Sequence, residues 1–196
     1  MKALLLLSDG IDSPVAGFLM KEKGIELVAL HFSHNEINTK KAKQLASKLN
    51  IKIYIIPYNE TQKQFQKLNK NYQCIFCKRF MVKIAEQIAK KENCKYIITG
   101  DNLGQVASQT LENMYIIDTA TDLPILRPLL TKDKQETMDI ARKINTYDLS
   151  IQKAPSCPFV PKEPITKAKL KIIKIEENKL NRDIIEKALL DKVVFS

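Results

Sequence analysis

Four cysteines, two histidines and one short polar turn carry most of the chemistry this sequence offers. Cys74 and Cys77 form Cys-Ile-Phe-Cys, Cys157 lies in Pro-Ser-Cys-Pro, and Cys94 sits just before the apolar run 95–99. A Cys-x-x-Cys pair alone is equally suited to zinc, redox or cluster chemistry. A structural zinc site needs a fourth ligand, for which His31 and His34 are the histidines on offer. Cys94 reads as a small buried hydrophobe. The turn is Ser8-Asp9-Gly10-Ile11-Asp12-Ser13-Pro14, between the apolar run 3–7 and a helical pattern. A strand-to-helix turn offers free backbone N–H groups and the positive end of a helix dipole, so it takes phosphate without a lysine. Gly10 permits close backbone approach, Ser8 and Ser13 add hydroxyl donors, and Pro14 suits the first helical turn. Asp12 suits a metal that bridges phosphates. Small polar residues also cap ordinary helices, and the turn matches neither G-x-x-x-x-G-K-[ST] nor G-x-G-x-x-G.

The elements that must hold these residues follow from periodicity. Apolar, β-branched runs recur at 3–7, 26–32, 52–57 and 95–99, with helical patterns at 14–23, 38–49 and 76–92 between them. In the last of these, Met81, Ile84, Ala85, Ile88 and Ala89 form one stripe, with Glu86 and Lys90 paired outside it. The alternation predicts an α/β fold, an open, mostly parallel twisted sheet with helices on both faces. Such sheets bind ligands beyond the carboxyl ends of their strands. That puts residues 8–13, His31-Phe32 and Thr99-Gly100-Asp101 at one rim. A helix near 104–113, a short strand within 124–129 and a helix over 133–144 continue the pattern. Pro155, Pro158, Pro161 and Pro164 then mark an irregular segment. Residues 166–196 read as one or two Lys/Glu-rich helices that extend a single domain over 1–165.

At 196 residues and 44% hydrophobic content, the chain suits one α/β domain with a full core. No apolar run approaches the roughly 20 residues of a membrane helix. The start does not read as a signal peptide, because Ser8-Asp9 interrupts the apolar run at once. A cytoplasmic protein is expected, away from membranes, where disulfides seldom serve structure. Net charge is +10, and residues 39–95 hold 14 Lys or Arg against 3 Asp or Glu, so this stretch carries the excess. It reads as a solvated Lys-rich surface or as a face for an anionic partner, most simply RNA. Few aromatics fall among these lysines, which gives base stacking little support.

In its context the turn resembles the S-G-G-x-D-S signature of the PP-loop ATP pyrophosphatases. IDSPVAGFLM, HF, CIFCKRFMVKIAEQIA, ITGDNLGQVASQTLENM, ILRPLLTKDKQETMDIARKI and PSCPFVPKEPITKAKL follow in an order similar to that of the tRNA 4-thiouridine synthase family, ThiI. The resemblance covers residues 1 to about 170. It implies an adenine nucleotide alpha hydrolase-like PP-loop fold and an ATP-dependent sulfurtransferase. In that family ATP adenylates a uridine carbonyl oxygen of tRNA, pyrophosphate leaves, and sulfur then displaces AMP. Carried over residue by residue, Ser8, Gly10, Asp12 and Ser13 look like the pyrophosphate loop, with Leu6 and Leu7 ending the strand behind it. His31 and Phe32 match the HF pair that lies against adenosine. Arg79, Gly100 and Gln109 complete the nucleotide contacts, and Lys134 matches a catalytic lysine whose charge would stabilise the attacked α-phosphate. ATP with Mg²⁺ is the implied cofactor pair.

The resemblance also implies roles for the cysteines. Cys157 matches the family's catalytic loop cysteine. Cys74 and Cys77 match a pair found in members without a rhodanese domain, where with Cys157 they hold a [4Fe–4S] cluster. Three thiolates leave one iron open for hydrosulfide. The competing readings are a Cys157 persulfide resolved by Cys74 or Cys77, and a zinc knuckle that pins the loop. Sulfide or a cysteine desulfurase would supply sulfur, and a homodimer is expected.

Two departures stand out. Family members carry ferredoxin-like and THUMP regions ahead of the PP-loop domain, whereas this sequence opens at the first PP-loop strand. A separate THUMP-containing protein, direct tRNA binding by 39–95, a small-molecule substrate, or a non-catalytic RNA-binding role are the resulting alternatives. The second departure is Asp9, where the signature has its first glycine. Asp tolerates left-handed backbone, so the turn is expected to survive. Its carboxylate is expected near phosphate oxygens, offset by Mg²⁺, Lys134 or Arg79 or turned to solvent. Asp9→Gly is then expected to tighten ATP binding.

Overall fold

The computed structural model describes residues 1–180 and 183–195. Its strands are β1 (Lys2–Leu6), β2 (Glu26–Ser33), β3 (Ile53–Pro57), β4 (Tyr96–Ile98), β5 (Ile125–Leu126) and β6 (Val193–Phe195). They form one sheet in the order β5-β4-β1-β2-β3-β6, parallel except for β6, which runs antiparallel to β3. The predicted open, mostly parallel sheet with helices on both faces is therefore what the chain adopts.

Alternation along β1 shows why. Leu4 faces a core with Val28, Leu30, Ile56 and Ile97, whereas Ala3, Leu5 and Leu7 face one with Ala29, Ile53, Ile55 and Ile98. A strand buried on both faces must be apolar throughout, which is what an unbroken Ala-Leu-Leu-Leu-Leu run supplies. The first core is closed by α4 (Gln73–Lys91), α5 (Leu111–Asp118), α8 (Leu170–Glu177) and α9 (Ile184–Leu190). The second is closed by α1 (Asp12–Glu22), α2 (Glu36–Leu49), α6 (Lys134–Lys143) and α7 (Tyr147–Ser150). The stripe predicted on α4 packs inward, with Ile84, Ala85, Ile88 and Ala89 at 1% exposure or less, and Lys90 pairs with Glu86 at 2.7 Å.

Three local expectations are corrected. Residues 104–113 are not one helix but a 3-10 turn, Ala107–Gln109, followed by α5. Thr110 accepts from the Asn113 N–H as the N-cap of α5, which restarts the helix. Helix α3 (Asn59–Phe65) lies where no pattern was read. Residues 166–196 were read as helices alone, yet Val193–Phe195 adds the edge strand β6. Residues 181, 182 and 196 of that extension lie outside the described residues.

The connection order creates the site. The chain builds β1, β2 and β3 outward on one side, then crosses to place β4 and β5 on the other side of β1. Between β1 and β4 the crossover direction reverses, and the strands' carboxyl ends open a crevice there. The turn 8–13 leaves β1 into that crevice, and residues 99–101 leave β4 beside it. No helix of the described residues is long and apolar enough to cross a membrane.

Candidate active site

Hydroxyl hydrogen bonds shape the turn. The Ser8 N–H donates to Ser13 Oγ at 2.8 Å, the Gly10 N–H to Ser8 Oγ at 3.3 Å, and the two hydroxyls share a 2.9 Å bond. Helix α1 starts with Ile11 at its N-cap and no side-chain cap bond. Its first-turn N–H groups are left for an outside acceptor, as phosphate-binding helices require. Gly100 fixes how close β4 comes. A Cβ there would lie 2.7 Å from Ser13 N and 2.8 Å from the Asp12 carbonyl carbon. Only glycine lets the strand end abut the helix start this tightly. Lys134 opens α6 and reaches across to Asp12, Nζ to Oδ1, at 2.8 Å. Those residues, 122 positions apart, meet at the mouth of the crevice.

The turn survives with Asp9, as expected, but the placement expected for its carboxylate is corrected. Left-handed non-glycine backbone occurs at Asn50, Asn93 and Asn145 among the described residues, so Asp9 needs none. Its carboxylate is neither free near phosphate nor turned to solvent. Oδ2 accepts from Asn38 Nδ2 at 2.6 Å and lies 3.4 Å from the Nζ of Lys41, a lysine only 4% exposed. A buried ammonium needs a counter-charge, and Asp9 supplies it.

Arg79 does not reach the crevice. Its guanidinium donates to both oxygens of Glu177, at 2.7 and 3.3 Å, to the Ile116 carbonyl, and to Thr119 Oγ1 at 2.8 Å. It clamps α4, α5 and α8 together. The neighbouring Lys78 takes the rim position instead, because one residue along a helix turns a side chain by about 100°. Lys78 lines a 280 Å³ cavity with Ser8, Asp12, Gly100, Gln109 and Arg127. Asp101 organises its floor, accepting from Lys78 Nζ at 2.8 Å, Thr99 Oγ1 at 2.9 Å and Gln109 Nε2 at 3.2 Å, with Arg127 Nε at 3.5 Å. Burial raises its pKa, but the Lys78 charge and these donors outweigh it and hold the carboxyl at about 2. Asp101 sits at the rim where the sequence pattern puts it, without the role it has here, whereas Lys78 and Arg127 are not among the residues singled out from the sequence. Their signal was there, since all three lie in the quoted motifs.

A second cavity of 430 Å³ adjoins the turn, lined by Leu6, Leu7, Ser8, His31, Phe32 and Cys157. His31 Nδ1 donates to the Leu7 carbonyl at 2.9 Å, which leaves Nε2 as a buried acceptor without a partner. Burial lowers the His31 pKa, so the ring is neutral at pH 7.

The third cavity, 230 Å³, gathers Cys74, Cys77 and Cys157 with Gln62, His34 and Phe65. One amide nitrogen, Gln62 Nε2, lies 3.3 Å from Cys77 Sγ and 3.5 Å from Cys157 Sγ. Desolvation raises the Cys74 thiol and pushes Cys77 to about 12. Among the described residues no three His, Cys, Asp or Glu side chains are close enough to hold a metal ion. The expected ligands Cys74, Cys77 and Cys157 therefore share a cavity without forming a closed ligand set. Cys94 is 3% exposed and stands apart, as a small core residue.

A parallel sheet with a hydroxyl-built turn at its switch point defines a nucleotide-binding fold of the PP-loop class. The NH3-dependent NAD synthetase of Campylobacter jejuni shares that fold, with a TM-score of 0.60 at 19% identity over 97% of this chain and 82% of that one. The chain belongs to the ThiI family, whose model, described as thiamine biosynthesis protein (ThiI), matches residues 1–182. It is 46% identical over 175 residues to the probable tRNA sulfurtransferase of Thermococcus kodakarensis, spanning 84% of this chain and 46% of that protein. The probable tRNA sulfurtransferase of Methanocaldococcus jannaschii is 43% identical over 185 residues, 88% of this chain and 48% of that protein. A solved 4-thiouridine synthetase–RNA complex with bound ATP has a TM-score of 0.93 at 34% identity, covering 99% of this chain and 54% of that one. The chain thus spans about half the length of the curated relatives it matches.

Proposed function

We propose that this chain acts as an ATP-dependent tRNA sulfurtransferase that activates a uridine carbonyl oxygen and replaces it with sulfur. The observation that carries the reading is that Cys157 borders two cavities, the one against His31-Phe32 and the turn, and the one holding Cys74 and Cys77. A sulfur-bearing residue at the junction of a nucleotide cavity and a thiol cavity serves both halves of the reaction.

Adenosine lies against Leu6, Leu7, His31 and Phe32, and the bare His31 Nε2 accepts from a nucleotide donor. The phosphates rest on Ser8, Gly10, Ser13 and the N–H groups of α1, with Gly100 and Gln109 beside them. Asp12 would hold Mg²⁺, and Lys134, paired with it at 2.8 Å, neutralises charge as the carbonyl oxygen attacks the α-phosphorus. The bond from that phosphorus to the bridging oxygen breaks, and pyrophosphate leaves. Sulfur then adds at the activated carbon, the C–O bond breaks, and AMP departs with the former carbonyl oxygen. In the persulfide route the outer sulfur on Cys157 is the nucleophile. A Cys74 or Cys77 thiolate then attacks the Cys157 sulfur, freeing the thiolated base and leaving a disulfide for an external thiol to reduce.

The donor set, three thiols with no carboxylate, fits a thiophilic centre by type, and ionising Cys77 against its raised pKa needs such compensation. A [4Fe–4S] cluster on Cys74, Cys77 and Cys157 would supply an open iron that presents hydrosulfide. Anaerobic purification with iron and zinc analysis separates cluster, persulfide and zinc knuckle.

The activity test is pyrophosphate release and thiolated-nucleoside analysis with ATP, tRNA and a sulfur donor, sulfide for the cluster route and a cysteine desulfurase with cysteine for the persulfide route. Release that needs tRNA and yields 4-thiouridine supports the reading. Release with a small molecule in its place, or no nucleotide binding at all, overturns it.

A further inference from the structure

We infer that the Asp9–Lys41 pair is a latch that sets the Cys157 segment against the phosphate turn, with Lys41 as a positioning residue and Asp9 as its counter-charge. Lys41 projects from α2 into the second core, where an ammonium is out of place unless every donor is used. Its Nζ donates to the Ser150 carbonyl at 3.1 Å and the Gln152 carbonyl at 2.9 Å, and pairs with Asp9 Oδ2 at 3.4 Å. Ser150 ends α7 and Gln152 lies just beyond it, where a cation is favoured by the carbonyl end of a helix. Asp9 is the carboxylate within ion-pair distance of Lys41 among the described residues. A second strap joins the same two segments, Ser150 Oγ donating to the Gly10 carbonyl at 3.2 Å.

One buried charge therefore ties residue 9 of the turn to residue 152, five positions before Cys157. The intervening Ala154, Pro155 and Ser156 line the same cavity as Asp9 and Asn38. At its far end the segment is pinned separately. Asn113 donates to the Ile165 carbonyl at 2.9 Å and accepts from the Ala168 N–H at 2.9 Å. Between these anchors, Cys157 also touches Gln62 Nε2 at 3.5 Å, and the near anchor sets how the segment that carries it lies against the turn. Aspartate at position 9 thus serves the loop across the crevice rather than the phosphate. The inference goes beyond the proposed sulfur transfer, and its primary readout needs neither ATP nor tRNA.

The test is the alkylation rate of Cys157 by iodoacetamide in the reduced chain, resolved by peptide mass spectrometry, with buried Cys94 as the internal control of fold. In Asp9→Asn and in Lys41→Met the Cys157 rate is expected to rise several-fold, about tenfold at most, as local opening further exposes the half-buried thiol. Cys94 should stay protected. Asp9→Asn/Lys41→Met should add little to either single change, because both remove one interaction. Lys41→Arg, which keeps the charge, should restore much of the slow rate. A Cys157 rate equal to the native one in Asp9→Asn, with Cys94 protected, would overturn the latch. Should Lys41→Met fail to fold, the near-isosteric Asp9→Asn decides alone. Additive single effects would also overturn it. Nucleotide affinity measured on the same variants belongs to the separate proposal about ATP.

Discussion

Two carboxylates at opposite ends of the sheet are both held near a pKa of 2, and Asp101 lines the cavity beside the turn at residues 8–13. Glu92, after α4, meets Lys52 Nζ at 2.6 Å, Lys2 Nζ at 3.1 Å and the Tyr54 hydroxyl at the amino ends of β1 and β3. Asp101, after β4, meets Lys78, Arg127, Thr99 and Gln109 at the carboxyl ends. The first hub holds three elements together, with Lys52 reaching it from the surface. The second leaves Lys78 and Arg127 on the wall of a cavity shared with the phosphate turn. Equal electrostatic perturbation therefore does not mark a site by itself, since ion-pair networks that serve structure shift pKa values just as far. The cavity and the switch point tell them apart.

That contrast breaks most readily at the carboxyl end. Lys134→Ala should lower turnover about 10²–10³-fold, the cost of removing one preorganised charge from a transition state. Steady-state rates with the variant's thermal stability measured alongside check this, and full activity would remove Lys134 from the reaction. Arg79→Met comes next. Breaking a buried ion pair should cost about 3 kcal/mol of stability. ATP affinity of the folded protein should not change, because the guanidinium faces Glu177; a large loss of affinity in a titration would put Arg79 back at the site.

Smaller effects belong to the amino end. Glu92→Gln should cost about 1–3 kcal/mol, the worth of hydrogen bonds to a charged group. Denaturant melts should show this while turnover stays native, and a turnover loss like that of Lys134→Ala would dissolve the contrast. The pH effect is smallest. Glu92 and Asp101 lie below their ordinary 4.5 and 3.8, so the unfolded chain takes up protons before the folded one. Their stabilisation is present above the ordinary carboxylate range and is lost as pH falls toward 2. An acid titration of stability should decline over that window, less steeply in Glu92→Gln.

Much of the fold was legible because its causes are local. The unbroken apolar run at 3–7 demands burial on both faces, and the α4 stripe demands one buried side. Helix α3 was missed because residues 59–65 carry Asn, Glu, Thr, two Gln and Lys with Phe65 as their one large apolar residue. Strand β6 was missed because three residues against an edge give too short a signal. The strand order β5-β4-β1-β2-β3-β6, by contrast, was not legible, because alternating runs of strand and helix do not say which strands become neighbours.

Residue types and motif order by themselves determined the α/β class, the turn, the cysteine set and the kinship that gives them roles. Tertiary structure alone decided which charge faces which. Arg79 and Lys78 are neighbours with the same charge, and only helix phase sends one to Glu177 and the other to Asp101. Asp9 looked like a misplaced anion until Lys41, 32 positions on, was found buried beside it. Composition records that a charge exists, but its energy depends on distance and burial, and those are set only when the chain has folded.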